Sequence, residues 1–510
     1  MKCAGAILLA CAAATALAAN PDALIKDLPG WAGGSFDQYS GYITVNETQG
    51  RALFYWFVEA TSNPQDKPVV VWTNGGPGCS SVGGGLMTEL GPFFAQADGT
   101  LKANPWAWNT EANVIFLEHP VGVGFSYSND TKFYNDITDE EDAADFYTFM
   151  KGWYSQFPEY ASNPLWITGE SYGGHYVPHF TQKIAQENAA AAAGVAGAVH
   201  MNIQGFMVGN AWTVAELDNA GAVFYDWTHG LISDENYLGI FKACNMSNVG
   251  PLRRLKQGGA SFLPALQMSE AALAAAEAAG HTFDQSCTYY QNAIFESFNN
   301  VDIYDIYADV CVAADGTKQL KPQAAAMLKA AGRPVPTGGL KVTGPTDDDD
   351  SSATHAADNK GGCWSGYEPC ISSYVNTYLN RADVQAAIHA RPTQWTDCSN
   401  IINYDRTSLL TSMLPVYEYL MSQNLKLLVY SGDVDAIVPI TGTRTWIDAL
   451  NLQTAEPWRP YMVHDQVGGF VQEYKGLTFA SVRNAGHLVP GTQPARAHHM
   501  FKAFLNGKPL

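Results

Sequence analysis

A strand-like apolar run at residues 165–168 leads directly into Gly-x-Ser-x-Gly at residues 169–173, and a helical pattern follows over 179–193. This order constrains the fold, because small residues beside the serine let the backbone turn sharply from a strand into a helix and push the hydroxyl outward. Ser171 is therefore a candidate nucleophile on the loop after a strand. An ordinary strand-to-helix turn with a capping serine is the alternative interpretation.

A nucleophilic serine needs a general base, and the base needs a carboxylate to orient it. An apolar run at residues 427–430 leads into Asp433 and Asp435, and another at residues 479–483 leads into His487. These side chains follow strands, at the carboxyl ends where open α/β sheets place their sites. The order serine, aspartate, histidine is that of the α/β-hydrolase fold. The pattern leaves open which aspartate orients the histidine.

A glycine-rich loop offers backbone donors for an oxyanion. The apolar residues 69–72 lead into Asn-Gly-Gly-Pro-Gly-Cys-Ser-Ser at residues 74–81. Paired glycines let a backbone approach a ligand closely. In this fold one N–H comes from such an early loop and one from the residue after the nucleophile, so Gly76 and Tyr172 are the candidates. A glycine- and proline-rich loop without a function is the alternative.

Five motifs resemble the serine carboxypeptidase family and occur in that family's order, at residues 72–81, 120–127, 169–178, 432–435 and 485–490. The resemblance covers nearly the whole chain. Glu118 and His119 stand where the family often has Asp-Gln, and residues 245–286 and 312–362 are long. The resemblance implies an α/β-hydrolase fold, with a central, mostly parallel sheet flanked by helices and a helical cap insertion.

The same resemblance implies a serine-type carboxypeptidase, which releases C-terminal amino acids from peptides through an acyl-enzyme and needs no metal or other cofactor. Ser171, Asp435 and His487 would form its catalytic triad. Asp433 would instead be a turn former whose side chain bonds local backbone. His175 is interpreted as structural, because it lies one helical turn beyond Ser171 and would point into helix packing.

A carboxypeptidase must recognise the terminal carboxylate of its substrate, yet no arginine lies in the motifs at the site. The resemblance implies that Asn74, the Gly75 N–H, Glu89 and Glu170 do so instead. Two carboxyls packed together cannot both ionise cheaply, so one stays protonated and can donate to the substrate. This predicts a preference for acidic pH. The alternative for Glu170 is a solvated residue at a helix start.

Two apolar residues predict the S1 subsite, which receives the side chain before the scissile bond. Val438 lies three residues after Asp435, where some relatives have a cysteine. Leu488 follows His487, where relatives that favour basic side chains have an acid. We therefore expect a preference for bulky apolar residues around the scissile bond.

The chain has nine cysteines, of which Cys3 and Cys11 would leave with a signal peptide. The odd number that remains implies an unpaired thiol in an oxidising compartment. The resemblance suggests the bridges Cys79–Cys398, Cys244–Cys287 and Cys311–Cys370. Cys363 competes for the last of these pairings. A zinc site at Cys363 and Cys370 is the alternative, but the spacing is not that of a usual zinc knuckle.

The N-terminus predicts a secretory signal over residues 1–19. Lys2 precedes a short apolar run at residues 5–18 that ends in small residues. The run is too short for a transmembrane anchor, which is the alternative. Glycosylation sequons occur at Asn46, Asn129 and Asn245. These features predict the secretory pathway, with a secreted or a vacuolar/lysosomal destination.

The strand-like runs alternate with helical patterns, as in an α/β sheet with antiparallel strands at its start. The runs lie at residues 41–45, 53–58, 69–73, 113–117, 165–168, 203–209, 426–431 and 478–483, and the helical patterns at 140–156 and 179–193. Residues 20–211 and 381–510 are predicted to form the hydrolase core. Residues 212–380 are predicted to form the cap, with an exposed linker at 335–362 that contains four consecutive aspartates.

The net charge of −20 argues against nucleic acid or an anionic membrane as a partner. The expected partners are peptide or protein C-termini, with the chain as a monomer or a homodimer. Two alternatives to a peptidase stay open. One is an acyltransferase, because the same acyl-enzyme can pass its acyl group to an alcohol. The other is a binding or protective member of the family with little peptidase activity.

Overall fold

The computed structural model describes residues 20–244, 246, 283–298, 301–312, 317–318, 340–341 and 367–510. Several predicted features lie outside these residues: the signal segment, the Asn245 sequon, Cys363 and all of the 335–362 linker except Leu340 and Lys341.

Ten strands form one sheet, and its six central strands are parallel. The strands of the described chain are β1 Gln38–Asn46, β2 Arg51–Val58, β3 Val69–Thr73, β4 Phe93–Ala95, β5 Leu101–Ala103, β6 Asn113–Leu117, β7 Leu165–Glu170, β8 Ile203–Gly209, β9 Thr317–Lys318, β10 Leu340–Lys341, β11 Lys426–Gly432, β12 Thr454–Val463, β13 Gln466–Tyr474 and β14 Leu477–Val482. The order across the sheet is β1-β2-β6-β3-β7-β8-β11-β14-β13-β12. β1 and β2 at one edge and β13 and β12 at the other are antiparallel, while β4–β5 and β9–β10 form separate two-stranded pairs.

The helices are α1 Asp139–Gln156, α2 Gly173–Ala192, α3 Ala215–Thr228, α4 Asp234–Ala243, α5 Phe283–Ser297, α6 Ile371–Leu379, α7 Ala382–Ala387, α8 Arg406–Leu410, α9 Leu414–Ser422, α10 Ile440–Ala449, α11 Val489–Thr492 and α12 Pro494–Leu505. A π-helix spans Val82–Glu89. No helix within the described ranges is both long enough and apolar enough to span a membrane.

The central strands are buried on both faces, which explains their continuous apolar composition. In β3, Val69 and Val71 pack into one hydrophobic cluster, while Val70 and Trp72 pack into another. Successive side chains of a strand point to opposite faces, so these two clusters are the cores on the two sides of the sheet. The predicted α/β-hydrolase fold, with its mostly parallel sheet flanked by helices, is confirmed.

All eight strand-like runs of the sequence are strands of this sheet, and both helical patterns are helices. The helix predicted at 179–193 begins earlier, at Gly173, directly after the serine turn. It contains Pro178 in its interior, and proline is a residue that usually interrupts a helix. The edge strand β12 and its neighbour β13 are absent from the predicted strands. β12 is exposed along most of its length and contains Pro457 and Pro460, so it lacks the alternating pattern of a half-buried strand.

The described part of residues 212–380 is mainly helical, with α3, α4, α5 and α6. Its segment at residues 301–308 lies against the loops that carry Asp435 and His487. Ile306 N donates to Val434 O at 3.1 Å, and Ala436 N donates to Ile303 O at 2.9 Å. The segment therefore touches the carboxyl edge of the sheet. The domain boundaries themselves stay a prediction.

Candidate active site

Ser171 lies at the turn between β7 and α2, in a backbone conformation that residues other than glycine rarely adopt. Its φ is +62°, in the left-handed region that is costly for a residue with a Cβ. Three hydrogen bonds hold the turn: Ser171 N donates to Gly209 O at 3.0 Å, and Ser171 O accepts from Gly174 N and Trp212 N at 2.9 Å each. Strain at such a turn is maintained only where the surroundings fix it.

His487 is buried and hydrogen-bonded to Asp435, with 2.8 Å between Nδ1 and Oδ2. A carboxylate accepts, so Nδ1 carries the proton and Nε2 is left as an acceptor. Nε2 is buried and has no hydrogen-bond partner. Ser171 and His487 line the same cavity, which leaves Nε2 available as a base for a group in that cavity.

Asp435 is held by donors besides the histidine. Ile437 N donates to Oδ1 at 2.8 Å, and Val438 N donates to Oδ2 at 3.2 Å. Asn210 Nδ2 donates to Oδ2 at 2.6 Å, while its Oδ1 accepts from Gly432 N at 3.1 Å. Asn210 was not singled out from the sequence. Its position directly after β8, at the carboxyl edge of the sheet, is the signal that could have found it.

Asp433 lies in a different environment. Its Oδ1 accepts from Asn484 N at 2.6 Å, on the loop that leads from β14 to His487. The side chain also bonds its own backbone N–H, as expected of a turn former. It joins two neighbouring loops as well, because β11 and β14 are adjacent in the sheet. Burial raises the pKa of Asp433.

The glycine loop after β3 lies against the serine turn. A Cβ added to Gly75 would be 2.4 Å from Tyr172 N and 2.8 Å from Ser171 Cβ, so only glycine fits there. Gly76 has a φ of +116°, a backbone torsion that residues other than glycine rarely adopt. Neither Gly76 N nor Tyr172 N donates to a group in the described part of the chain. Both N–H groups are thus available to a ligand.

The loop is anchored at its far end. Cys79 is bonded to Cys398, Ser80 N donates to Asp397 O at 2.7 Å, and Ser399 N donates to Gly78 O at 2.8 Å. Ser80 Oγ also donates to Glu118 Oε1 at 2.7 Å. Burial raises the pKa of Glu118 to about 8. In the sequence, Glu118 stands out only as a departure from the family pattern.

The other two predicted bridges, Cys244–Cys287 and Cys311–Cys370, are also present. The zinc alternative therefore loses Cys370, whose sulfur is in a disulfide.

Among the predicted sequons, Asn129 is exposed and Asn46 is partly exposed.

Asn74 joins the two predicted acids. Its Oδ1 accepts from Trp72 Nε1 at 2.7 Å and from Gly85 N at 2.9 Å, which orients the amide. Its Nδ2 then donates to Glu89 Oε1 and to Glu170 Oε1, at 2.9 Å each. Both amide hydrogens are therefore engaged, and a substrate carboxylate would have to displace or share one of them.

Glu89 and Glu170 are 0% and 3% exposed, and Glu170 lines the cavity with Asn74 and Gly75. Burial raises the pKa of Glu89. Burial first, and then the charge of Glu89, raise the pKa of Glu170 well above its usual range. Because a protonated Glu170 can donate to Glu89, the pair keeps one proton at pH values where an exposed glutamate is ionised.

The residues proposed for the S1 subsite are buried, but neither Val438 nor Leu488 lines the cavity. Tyr304 does line it. Its carbonyl accepts from His487 N at 2.6 Å, and its ring meets the His487 ring edge-on at 4.8 Å. The sequence offered no motif for Tyr304, and its role follows only from the packing of residues 301–308 on the site. The apolar preference at S1 stays a prediction.

His175, which was interpreted as structural, is fully buried. Its Nδ1 is 2.9 Å from Asp139 Oδ2. It is not among the residues that line the cavity.

Comparisons with known proteins give one family. The family model described as serine carboxypeptidase matches residues 29–507. Serine carboxypeptidase-like 34 of Arabidopsis thaliana is 38% identical over 98% of this chain and 92% of its own length. Serine carboxypeptidase 24 of the same plant is 38% identical over 95% of this chain and 92% of its own length. Among solved structures, a prohormone-processing carboxypeptidase from Saccharomyces cerevisiae has a TM-score of 0.69 at 19% identity, covering 96% of this chain and 97% of its own.

Proposed function

We propose that this chain, which belongs to the serine carboxypeptidase family, is an active serine-type carboxypeptidase that removes C-terminal amino acids from peptides. One observation carries the proposal: Ser171 and His487, whose Nε2 is unpaired, line one cavity together with Glu170, a member of the buried carboxyl pair. A nucleophile and base alone would fit many hydrolases. A protonated carboxyl beside them supplies the donor that a terminal carboxylate requires.

In the proposed reaction, the Ser171 hydroxyl attacks the carbonyl of the last peptide bond while His487 Nε2 takes its proton. Asp435 holds the imidazole in the right tautomer and stabilises the imidazolium. His487 then returns the proton to the nitrogen of the departing amino acid, which leaves an acyl-enzyme on Ser171. Water, activated by the same base, releases the shortened peptide.

The oxyanion formed in each step would accept hydrogen bonds from Gly76 N and Tyr172 N. Such preorganised donors act where charge develops, and each one is worth about 10²–10³ in rate. The free N–H groups of these two residues and the close approach of Gly75 to the serine turn support this role.

The substrate carboxylate would be held by Asn74, the Gly75 N–H and the Glu89–Glu170 pair. The donation needs the shared proton, so binding weakens as pH rises and the pair ionises. This gives the proposed preference for acidic pH. The three disulfides favour an oxidising compartment, and we place the protein in the secretory pathway.

A paired assay tests this function against acyl transfer. The protein is given an N-blocked dipeptide with a free carboxylate, and separately a glucose ester with an alcohol as acceptor. We expect release of the C-terminal amino acid from the dipeptide and labelling of Ser171 by a fluorophosphonate probe. Transfer from the ester without peptide cleavage would assign the chain to acyl transfer. Absence of both reactions and of labelling would leave a binding role.

A further inference from the structure

The side chain of Tyr172, the residue after Ser171, ends in a buried polar cluster that the proposed chemistry does not use. Its hydroxyl donates to Asp139, at 3.1 Å from Oδ1 and 3.3 Å from Oδ2. Its ring stacks on His175, with 4.6 Å between the ring centroids. Tyr172 and Asp139 are each 3% exposed.

Asp139 is itself fixed by several groups. Tyr404 OH donates to Oδ1 at 2.6 Å, His175 Nδ1 lies 2.9 Å from Oδ2, and His179 Nδ1 lies 4.0 Å from Oδ2. The carboxylate also stands at the first residue of α1, where the helix dipole favours negative charge. Burial raises the pKa of Asp139, but the hydrogen bonds and charges of the surrounding groups, those of His175 first, outweigh burial and lower the pKa overall. Asp139 is thus a charged and immobile anchor.

We infer that Asp139 is a positioning residue, which holds the Tyr172 hydroxyl so that the Tyr172 N–H stays aimed at the oxyanion. This inference rests on the function proposed above. The Tyr172 N–H belongs to the peptide group that follows Ser171, whose φ of +62° is strained. A strained turn keeps its shape only when neighbouring contacts fix it.

The tyrosine ring transmits that restraint. A tyrosine has only two side-chain torsions, so a ring held at both its face and its hydroxyl leaves its own backbone little freedom. His175 holds the face and Asp139 holds the hydroxyl. Asp139 is the first residue of α1, and His175 lies in the first turn of α2. Both helices pack against strands of the sheet.

The alternative is that the cluster merely stabilises the fold, and a matched pair of variants separates the two roles. Tyr172→Phe removes one buried tyrosine–carboxylate hydrogen bond beside Ser171. Tyr160→Phe removes a bond of the same kind elsewhere, since Tyr160 OH donates to Glu59 Oε1 at 2.6 Å and Tyr160 is 1% exposed. Tyr160 does not line the cavity.

The readouts are kcat and KM for an N-blocked dipeptide, the affinity for an N-blocked peptide aldehyde, and Tm. The aldehyde adds the Ser171 hydroxyl to give a tetrahedral hemiacetal, whose oxygen occupies the oxyanion position. We expect Tyr172→Phe to lower kcat and aldehyde affinity by about tenfold, a fraction of the loss of a whole oxyanion donor, with KM within about twofold. Both variants are expected to lower Tm by similar amounts, because each loses one buried tyrosine–carboxylate hydrogen bond. Tyr160→Phe is expected to leave kcat and aldehyde affinity unchanged.

If the two variants lose the same fraction of kcat, or if Tyr172→Phe loses none, the inference is overturned while the proposed function stands. A wild-type protein that neither cleaves the dipeptide nor reacts with a fluorophosphonate would overturn the proposed function, and this inference with it.

Discussion

At the scale of single residues, Asp435 and Asp433 show how two carboxylates of one loop come to differ. Asp435 is fully buried, bonds His487 and accepts from Asn210 and two backbone N–H groups. Asp433 accepts from Asn484 N and has no bond to the histidine. The environment of each side chain, rather than its distance from the strand, separates the two proposed roles.

We expect Asp435→Asn to lower kcat by about 10⁴-fold, because an amide would present its NH₂ to Nδ1 and favour the wrong tautomer of His487. Asp433→Asn keeps the shape of the loop contact and should lower kcat by less than about tenfold. Steady-state kinetics of both variants with one N-blocked dipeptide measures the difference. Losses of equal size would show that the wrong aspartate was assigned to the triad.

Glu170→Gln tests the carboxylate-binding pair. The raised pKa of Glu170 means that the wild-type pair is protonated at acidic pH and loses its donor as pH rises, so KM for a peptide should increase with pH. Glutamine cannot ionise, and the variant should therefore show a flattened KM profile. A substrate with a C-terminal amide serves as the control, because it makes no carboxylate contact. An unchanged KM profile in the variant would exclude Glu170 from this role.

At the scale of elements, the loop after β3 joins the sheet to the proposed chemistry. It carries Asn74, Gly75 and Gly76 into the cavity, and the Cys79–Cys398 bridge then ties it to a segment 319 residues away in sequence. A glycine-rich loop has little stiffness of its own, so the bridge and its neighbouring hydrogen bonds define where the Gly76 N–H points.

The double variant Cys79→Ser/Cys398→Ser should lower both Tm and kcat. Such a long closed loop contributes about 5 kcal/mol in the chain-entropy account, and a displaced oxyanion donor reduces rate. The variant Cys244→Ser/Cys287→Ser is the control, since that bridge joins the helices α4 and α5. It should lower Tm with kcat retained. If kcat survives in the first variant, the bridge has no role in placing the loop.

The sheet and the motif residues could be predicted because their signals are local. Apolar runs mark β3, β6 and β7, and the motif residues directly follow the strands. The role of Tyr304 could not be assigned, because it acts through tertiary packing on His487, more than 180 residues away. The position of Asn210 after β8 is visible in the sequence, but its bond to Asp435 joins residues 225 positions apart and depends on tertiary packing. The hairpin β12–β13 lacks a local signal for a different reason: β12 is exposed along most of its length, and β13 is interrupted by Gly468 and Gly469.

At the scale of the whole molecule, several buried acids have raised pKa values, mainly because burial penalises the charged form. The pKa is about 8 for Glu118, about 7 for Asp218 and about 6 for Asp145. In the unfolded chain these acids have ordinary pKa values. At pH values between the ordinary and the raised pKa, the folded state therefore binds more protons than the unfolded state. Stability therefore falls as pH rises through that window.

Tm should accordingly decrease by several degrees from pH 5 to pH 8, and Glu118→Gln should reduce that decrease because the variant cannot ionise there. Thermal unfolding monitored by circular dichroism at matched ionic strength measures both effects. A Tm that increases over this range would show that the buried acids are ionised in the folded protein at lower pH than proposed.

The most direct test of the account is the release of free amino acid from an N-blocked dipeptide at pH 5, with wild type and Ser171→Ala compared by mass spectrometry. We predict that wild type releases the C-terminal residue and that Ser171→Ala, with an unchanged circular dichroism spectrum, loses more than about 10⁴-fold of kcat. Undiminished release by a folded Ser171→Ala variant, or no release by wild type, would contradict the proposed function.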